Sequence, residues 1–292
     1  MSRLSLRERL IDPRSPTHRP RRAAYALPTL FTAGNIFLGF IAIVQAVEGS
    51  LFGNDGNLGS NPHFEIAAKA IGAAVVLDGL DGRIARMTNT VSDFGREMDS
   101  LADVITFGIA PAVLAYVWGV QFVDPGGFLK DHRAGYLLAF LFLLCGAVRL
   151  ARFNVQTNPI PRNPGRPDRK YFVGLPIPAA AGMVASIVFA ADSEPLTQWM
   201  WCAAWLALLG VLGFLMVCTW RYPSFKQLNL HGPRSPLIVI LLGALIYSIW
   251  NYAQPVLLAL SLAYVGSGIV LRVAGLLKRL RHSPPRREEQ VG

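Results

Sequence analysis

Residues 78–103 read DGLDGRIARMTNTVSDFGREMDSLAD, a stretch holding five aspartates and one glutamate. It lies between AIGAAVVL and VITFGIAPAVLAYVWGV, two runs apolar enough to enter a bilayer. Acid in such a place needs a reason, because inserting one aspartate at mid-membrane costs roughly 2.5–3.5 kcal/mol. On a helix advancing about 100° per residue, Asp78, Asp81, Gly82, Ala85 and Arg86 fall within about a 140° arc. Gly95, Asp99 and Asp103 follow at four-residue spacing, within about 80° of one another. A short connection makes the two helices antiparallel neighbours, so four carboxylates can converge. Unpaired, four would cost on the order of 10 kcal/mol and would also repel one another. Pairing with Arg83, Arg86 and Arg96 is the plain alternative. It does not explain why the acids share a face while Gly82, Ala85 and Gly95 clear space beside them. Hard divalent cations with oxygen ligands resolve the repulsion, and Mg²⁺ or Mn²⁺ can bridge carboxylates to phosphate oxygens.

The rest of the chain sets this cluster in a membrane. Of 292 residues, 52% are hydrophobic and only 16% charged, too few to cover a soluble core of this size. Several apolar runs reach the roughly 20 residues needed to span a bilayer. The pattern predicts an all-α integral membrane protein, a polytopic helical bundle of eight transmembrane helices. The spans are expected at 27–47, 66–86, 100–122, 134–153, 173–191, 198–219, 236–252 and 255–276. The net charge is +10, and 25 of the 28 Lys and Arg residues fall at the ends and in alternate loops, a positive-inside pattern. It places both termini and the acid cluster on the cytoplasmic side of a plasma (inner) membrane. It also accounts for the basic charge through membrane lipids, without nucleic acid.

Residues 1–25 are expected to form an irregular or surface-lying, basic cytoplasmic arm, and 277–292 a basic tail that frays into solvent. The long loop after span 4 should lack regular structure, being rich in Pro, Asn and Arg. Glycines in GVLGFL and GSG suit close helix packing. Cys145, Cys202 and Cys218 show no metal-ligand spacing and suit small core positions. The first span is too long for the apolar core of a cleaved signal, and it carries Thr32 and Asn35.

Eight positions, Asp78, Asp81, Gly82, Ala85, Arg86, Gly95, Asp99 and Asp103, match without departure the signature that the CDP-alcohol phosphatidyltransferases carry over 26 residues. The chain resembles that family over roughly residues 27–220. Within it, LPTLFTAGNIFLG, DSLADVITFGIAPA, RLARFN and YFVGLPIPAAAG resemble the branch whose acceptor is serine. The resemblance implies a six-helix membrane core at 26–220, with 221–276 as an additional helix pair. It implies CDP-diacylglycerol as donor, L-serine as acceptor and a homodimer. Asp78, Asp81, Asp99 and Asp103 are then the metal positions and Asp103 the general base. Gly82 and Ala85 leave room for the nucleotide, and Asp78 and Arg86 also meet the donor. Glycerol 3-phosphate or an inositol phosphate is the alternative acceptor.

Outside the motif the residues leave choices open. Asn35 either contacts the nucleotide or bonds between helices. Arg149 and Arg152 either snorkel to the interface or bind an acceptor carboxylate or phosphate. An intramembrane prenyltransferase also gathers aspartates around a diphosphate, but its acidic motifs lie far apart in sequence. A cation transporter would place acids near the midplane on broken helices.

Overall fold

The computed structural model describes residues 20–88, 93–123, 132–157, 171–223 and 235–281. Among them are nine α-helices, one π-helical turn and a pair of three-residue strands. Helix α1 spans Pro20–Asn54 and α2 spans Pro62–Thr88. Helix α3, Asp93–Asp103, runs through the π turn Val104–Ile109 into α4, Ala110–Gly119. Then come α5 (Arg133–Thr157), β1 (Tyr171–Val173), α6 (Ile177–Ala190), α7 (Trp199–Val217) and β2 (Arg221–Pro223). Helices α8 (Ser235–Asn251) and α9 (Ala253–Arg281) complete the order.

The protein is an all-α polytopic membrane protein. Five helical stretches are long and apolar enough to cross a membrane: Leu30–Asn54, Phe94–Gly119, Arg133–Val155, Trp199–Val217 and Ala253–Ala274. The other three expected spans also coincide with helices of different character. Helix α2 carries the charges of the acid motif, and α6 and α8 run for only 14 and 17 residues.

Four of the departures of helix ends from the sequence reading bear on the fold. Residues 20–25 of the expected irregular arm are the first turns of α1. Pro20 suits the first helical position, where its missing N–H loses nothing, and the Arg and Ala residues after it are strong helix formers. Helix α1 also continues to Asn54, past its expected end. Residues 277–281, assigned to a fraying tail, continue α9. Most consequential is the entry to the fifth span. Tyr171 and Phe172, expected to lie in an irregular loop, and Val173, expected to open the span, form a strand, with Tyr171 opposite Pro223, Phe172 opposite Tyr222 and Val173 opposite Arg221. Gly174 ends that strand at φ +81°, where a Cβ would lie 2.5 Å from the Met216 carbonyl oxygen. Its N–H bonds the Trp220 carbonyl at 2.8 Å, and the Leu175 N–H bonds that of Leu215 at 2.9 Å. Helix α6 therefore begins only after Pro176.

In lipid the hydrophobic effect does not choose between helix partners, so close packing and hydrogen bonds decide. Buried Ala42 and Ala46 on α1, with Ala67, Ala70 and Ala74 on α2, allow these backbones to approach. Trp205 on α7 donates its indole N–H to the Ala115 carbonyl at 3.0 Å and packs edge-on against Trp118. The three cysteines are free and at least partly buried, as packing residues are.

The approach that matters for the site is α1 on the π turn. The Thr106 hydroxyl donates to the Asn35 carbonyl at 3.0 Å. One turn further, a Cβ on Gly39 would lie 2.5 Å from the Thr106 Oγ1 and 2.9 Å from its Cα. Because backbone blocks that space, Gly39→Ala should cost about 1–3 kcal/mol by overpacking. Gly72 in α2 has open space around it, so Gly72→Ala should be neutral or gain up to roughly 1 kcal/mol from helix propensity. Thermal unfolding in detergent checks both, and equal melting temperatures for the two variants would dismiss the α1 contact as a constraint.

Candidate active site

The acid cup is assembled from helix ends. Near the C-terminal end of α2 stands Asp78, and Asp99 and Asp103 stand one turn apart on α3. One carboxylate oxygen from each of these three lies within 4.8 Å of the others. The backbones of Asp81, Gly82, Ala85 and Arg86 continue α2 past Asp78, and their side chains lie outside the described residues. The convergence expected from helical spacing is therefore present for three of the four aspartates.

Electrostatics at this point are severe. Asp103 faces the charges of Asp78 and Asp99, with Arg149 as the nearby cation. Its Oδ1 is buried and has no hydrogen-bond partner among the described residues. Three converging hard oxygen donors and an orphaned buried carboxylate oxygen fit a divalent cation. Asp78, Asp99 and Asp103 would hold it, with Asp81 supplied by the motif.

Arg149 comes from the far end of α5 and is buried, as a snorkelling anchor would not be. Its electrostatic neighbours are Asp103, Tyr264, Arg152 and Asp78, and its Nε has no hydrogen-bond partner among the described residues. Three residues later, Arg152 does different work. Its guanidinium donates to the Val217 carbonyl at 3.0 Å and the Val173 carbonyl at 3.2 Å, tying the end of α7 to β1. The two arginines paired in the sequence reading are thus separated by role. Asn154 extends the same helix, donating to the Ser100 hydroxyl at 2.9 Å, and Ser100 donates to the Arg96 carbonyl. Asn35 is buried, with its carbonyl taken by Thr106 and its side-chain Oδ1 lacking a partner among the described residues.

Two features of the site had no sequence signal. The π turn begins at the residue after Asp103, and such wide turns are frequent at functional sites. Tyr264 arrives from α9, more than 100 positions after Arg149 in the chain.

A polytopic helical membrane protein with an acid cup at its helix ends is a narrow class, and comparison with known proteins names it. A family model described as CDP-alcohol phosphatidyltransferase matches residues 25–213. The chain belongs to this family. A Helicobacter pylori relative named CDP-diacylglycerol–serine O-phosphatidyltransferase is 39% identical over 225 residues, covering 77% of this chain and 83% of its own. A Bacillus subtilis protein of the same name is 31% identical over 206 residues, covering 69% and 92%. An archaetidylserine synthase of Methanothermobacter thermautotrophicus is 34% identical over 200 residues, covering 68% and 70%.

Removing a carboxylate should separate ion binding from folding. In chelator, Asp99→Asn should melt no lower than the parent, because one of the mutually repelling charges is gone. Mn²⁺ at about 100 times its dissociation constant should stabilise the parent by roughly 2.7 kcal/mol. The variant should gain far less. Equal Mn²⁺-induced shifts in melting temperature would take Asp99 out of the ion site.

Proposed function

We propose that this chain transfers the phosphatidyl group of CDP-diacylglycerol to the hydroxyl of L-serine, giving phosphatidylserine and CMP. The observation that carries the reading is the convergence of Asp78, Asp99 and Asp103 in a member of this family. Relatives whose names differ in the lipid share serine as the head group, which favours serine here over a phosphorylated acceptor.

A Mg²⁺ or Mn²⁺ ion held by Asp78, Asp81, Asp99 and Asp103 would supply positive charge against the donor's diphosphate. The protein's own groups do the rest. Asp103, with its orphaned oxygen, takes the proton from the serine hydroxyl as that oxygen attacks the phosphorus bearing diacylglycerol. CMP leaves in the same displacement, because the motif offers no Ser, Cys or His nucleophile beside a base. Arg149, a buried cation beside the cup, receives the serine carboxylate. The Asn35 amide oxygen, without a partner among the described residues, faces the donor's nucleotide. Gly82 and Ala85 leave room for that nucleotide, and Arg86 meets the donor's anionic atoms.

The reading also carries an orientation. Both termini and the cup face the cytoplasm at the plasma (inner) membrane, following the positive-inside pattern. Eight spans and a homodimer complete it, the latter resting on family resemblance.

The reaction is tested by incubating purified protein with CDP-diacylglycerol, Mn²⁺ or Mg²⁺ and a panel of alcohols, then following CMP release. Serine should be used, and glycerol 3-phosphate and inositol phosphate should not; the reverse preference overturns the acceptor assignment. Asp103→Asn should keep donor binding at saturating Mn²⁺ and lose about 10²–10⁴-fold in turnover, or about 3–5 kcal/mol in the barrier. Turnover within a few-fold of the parent would move the base elsewhere. Orientation is read from single cysteines in a cysteine-free background. Positions 50–62 and 192–195 should react with an impermeant thiol reagent in intact cells, while positions 154–170 should not.

A further inference from the structure

Helix α3, the π turn and α4 form one continuous rod, and the turn begins at the residue after Asp103. Within it the Ala110 N–H bonds the Ile105 carbonyl, five residues back instead of four. An unbroken α-helix would set the Pro111 ring against the Phe107 carbonyl, so proline at this place disfavours the ordinary register. A π turn holds one residue more than an α turn, and each residue advances a helix by about 100°. The face that α3 presents is therefore rotated by about 100° relative to α4 from where an unbroken helix would put it.

Both faces have fixed duties. On α4 the Ala115 carbonyl accepts from the Trp205 indole at 3.0 Å, and Trp118 packs edge-on against the same side chain. On α3, Asp99 and Asp103 turn toward Asp78, with oxygens of all three within 4.8 Å. The extra residue lets one rod satisfy both.

Neighbouring helices grip the turn. Inside a helix a threonine hydroxyl ordinarily bonds its own backbone three or four residues back. Thr106, fully buried, instead donates to the Asn35 carbonyl of α1 at 3.0 Å. Gly39 admits it, since a Cβ there would lie 2.9 Å from the Thr106 Cα. From α5, Leu143 rests on Gly108, where a Cβ would lie 2.8 Å from the leucine Cδ1. Helix α1 also meets α2 beside the cup, because a Cβ on Gly34 would lie 3.3 Å from the Leu77 Cδ2. One helix thus touches α2 a single residue from Asp78 and the π turn three residues from Asp103.

We propose that the π turn sets the rotational phase of the acid cup and that Thr106 is its positioning residue: its hydroxyl, held on α1, fixes the rotation at which Asp99 and Asp103 meet Asp78. The inference rests on the reading of these aspartates as a cation site. Slipping the rod by one residue would swing the Thr106 hydroxyl about 100° from α1. It would also bring Ile105 or Phe107 toward Gly39, where only a small group fits.

The test titrates Mn²⁺ into the full chain in detergent and compares Thr106→Val, Thr106→Ser and Ser186→Ala with the parent. Melting temperature is read with the ion alone, and CMP release with CDP-diacylglycerol and serine. Thr106→Val keeps the shape and loses the hydroxyl. It should need about three- to tenfold more Mn²⁺ for half of the melting shift and for half of the CMP release, the range of one neutral hydrogen bond. Thr106→Ser keeps the donor and should stay within about twofold of the parent. Ser186→Ala removes a buried hydroxyl elsewhere, on α6, and should lower the melting temperature without moving the Mn²⁺ requirement. An unchanged Mn²⁺ requirement in Thr106→Val, or an equal loss in Thr106→Ser or Ser186→Ala, overturns the role of Thr106. A parental melting temperature that Mn²⁺ does not move instead overturns the underlying cation site, so the two failures are distinguishable.

Discussion

Three carboxylates with oxygens within 4.8 Å of one another, one of them buried, are the constraint around which this bundle is organised. Two such charges 4 Å apart repel by about 4 kcal/mol at an effective dielectric of 20. A chain free to relax would spread them. Here they sit on two helices whose connection is short, so relaxation would require the helices themselves to part. The α1–π-turn contact acts on the same region, because Thr106 stands one turn from Asp103 and presses on Gly39. Packing thus holds the site in a geometry that its own charges oppose, and a divalent cation would satisfy it. The same concentration of negative charge explains why a buried arginine is tolerated beside it.

Around the cup, polar side chains set positions that apolar packing would leave degenerate. Lipid tails solvate a leucine as well as another helix does, so a bundle of apolar helices has little to choose between registers. Arg152 ties α7 to β1, Asn154 ties α5 to Ser100 on α3, and Ser186 with Ser261 ties α6 to α9. Each bond lies at the margin of the site or on a helix that reaches it. The small strand pair belongs to this set. It satisfies backbone groups where α6 begins and α7 ends, and it plants Tyr222 of β2 against α9.

Much of this was legible in the chain. The period of about 3.6 residues per turn placed the acids on shared helix faces, and length with hydropathy placed the helices in a membrane. Asp78, Asp99 and Asp103 converge as their spacing requires, because two adjacent helices with a short connection have few ways to pack. Arg149 and Arg152 were legible only as a pair. They are three residues apart at the end of one helix, and nothing local distinguishes them. Their neighbours do, since one meets the cup and the other meets two carbonyls from distant elements.

Local features of the sequence by themselves determined the helical membrane class, the acid motif and the chemistry it can support. These depend on composition, periodicity and spacing within a few turns. Tertiary structure alone decided the strand start at Tyr171, the π turn after Asp103 and the approach of Tyr264 to Tyr222. A three-residue strand has too little pattern to register, and it forms because a second segment about 50 positions later offers hydrogen-bond partners. Tyr264 is one tyrosine in a long apolar helix until Gln254, Ser261 and Gly268 set that helix's height against α6 and β2. Contacts of such long sequence separation exist only once the bundle has closed, so no local reading of the chain contains them.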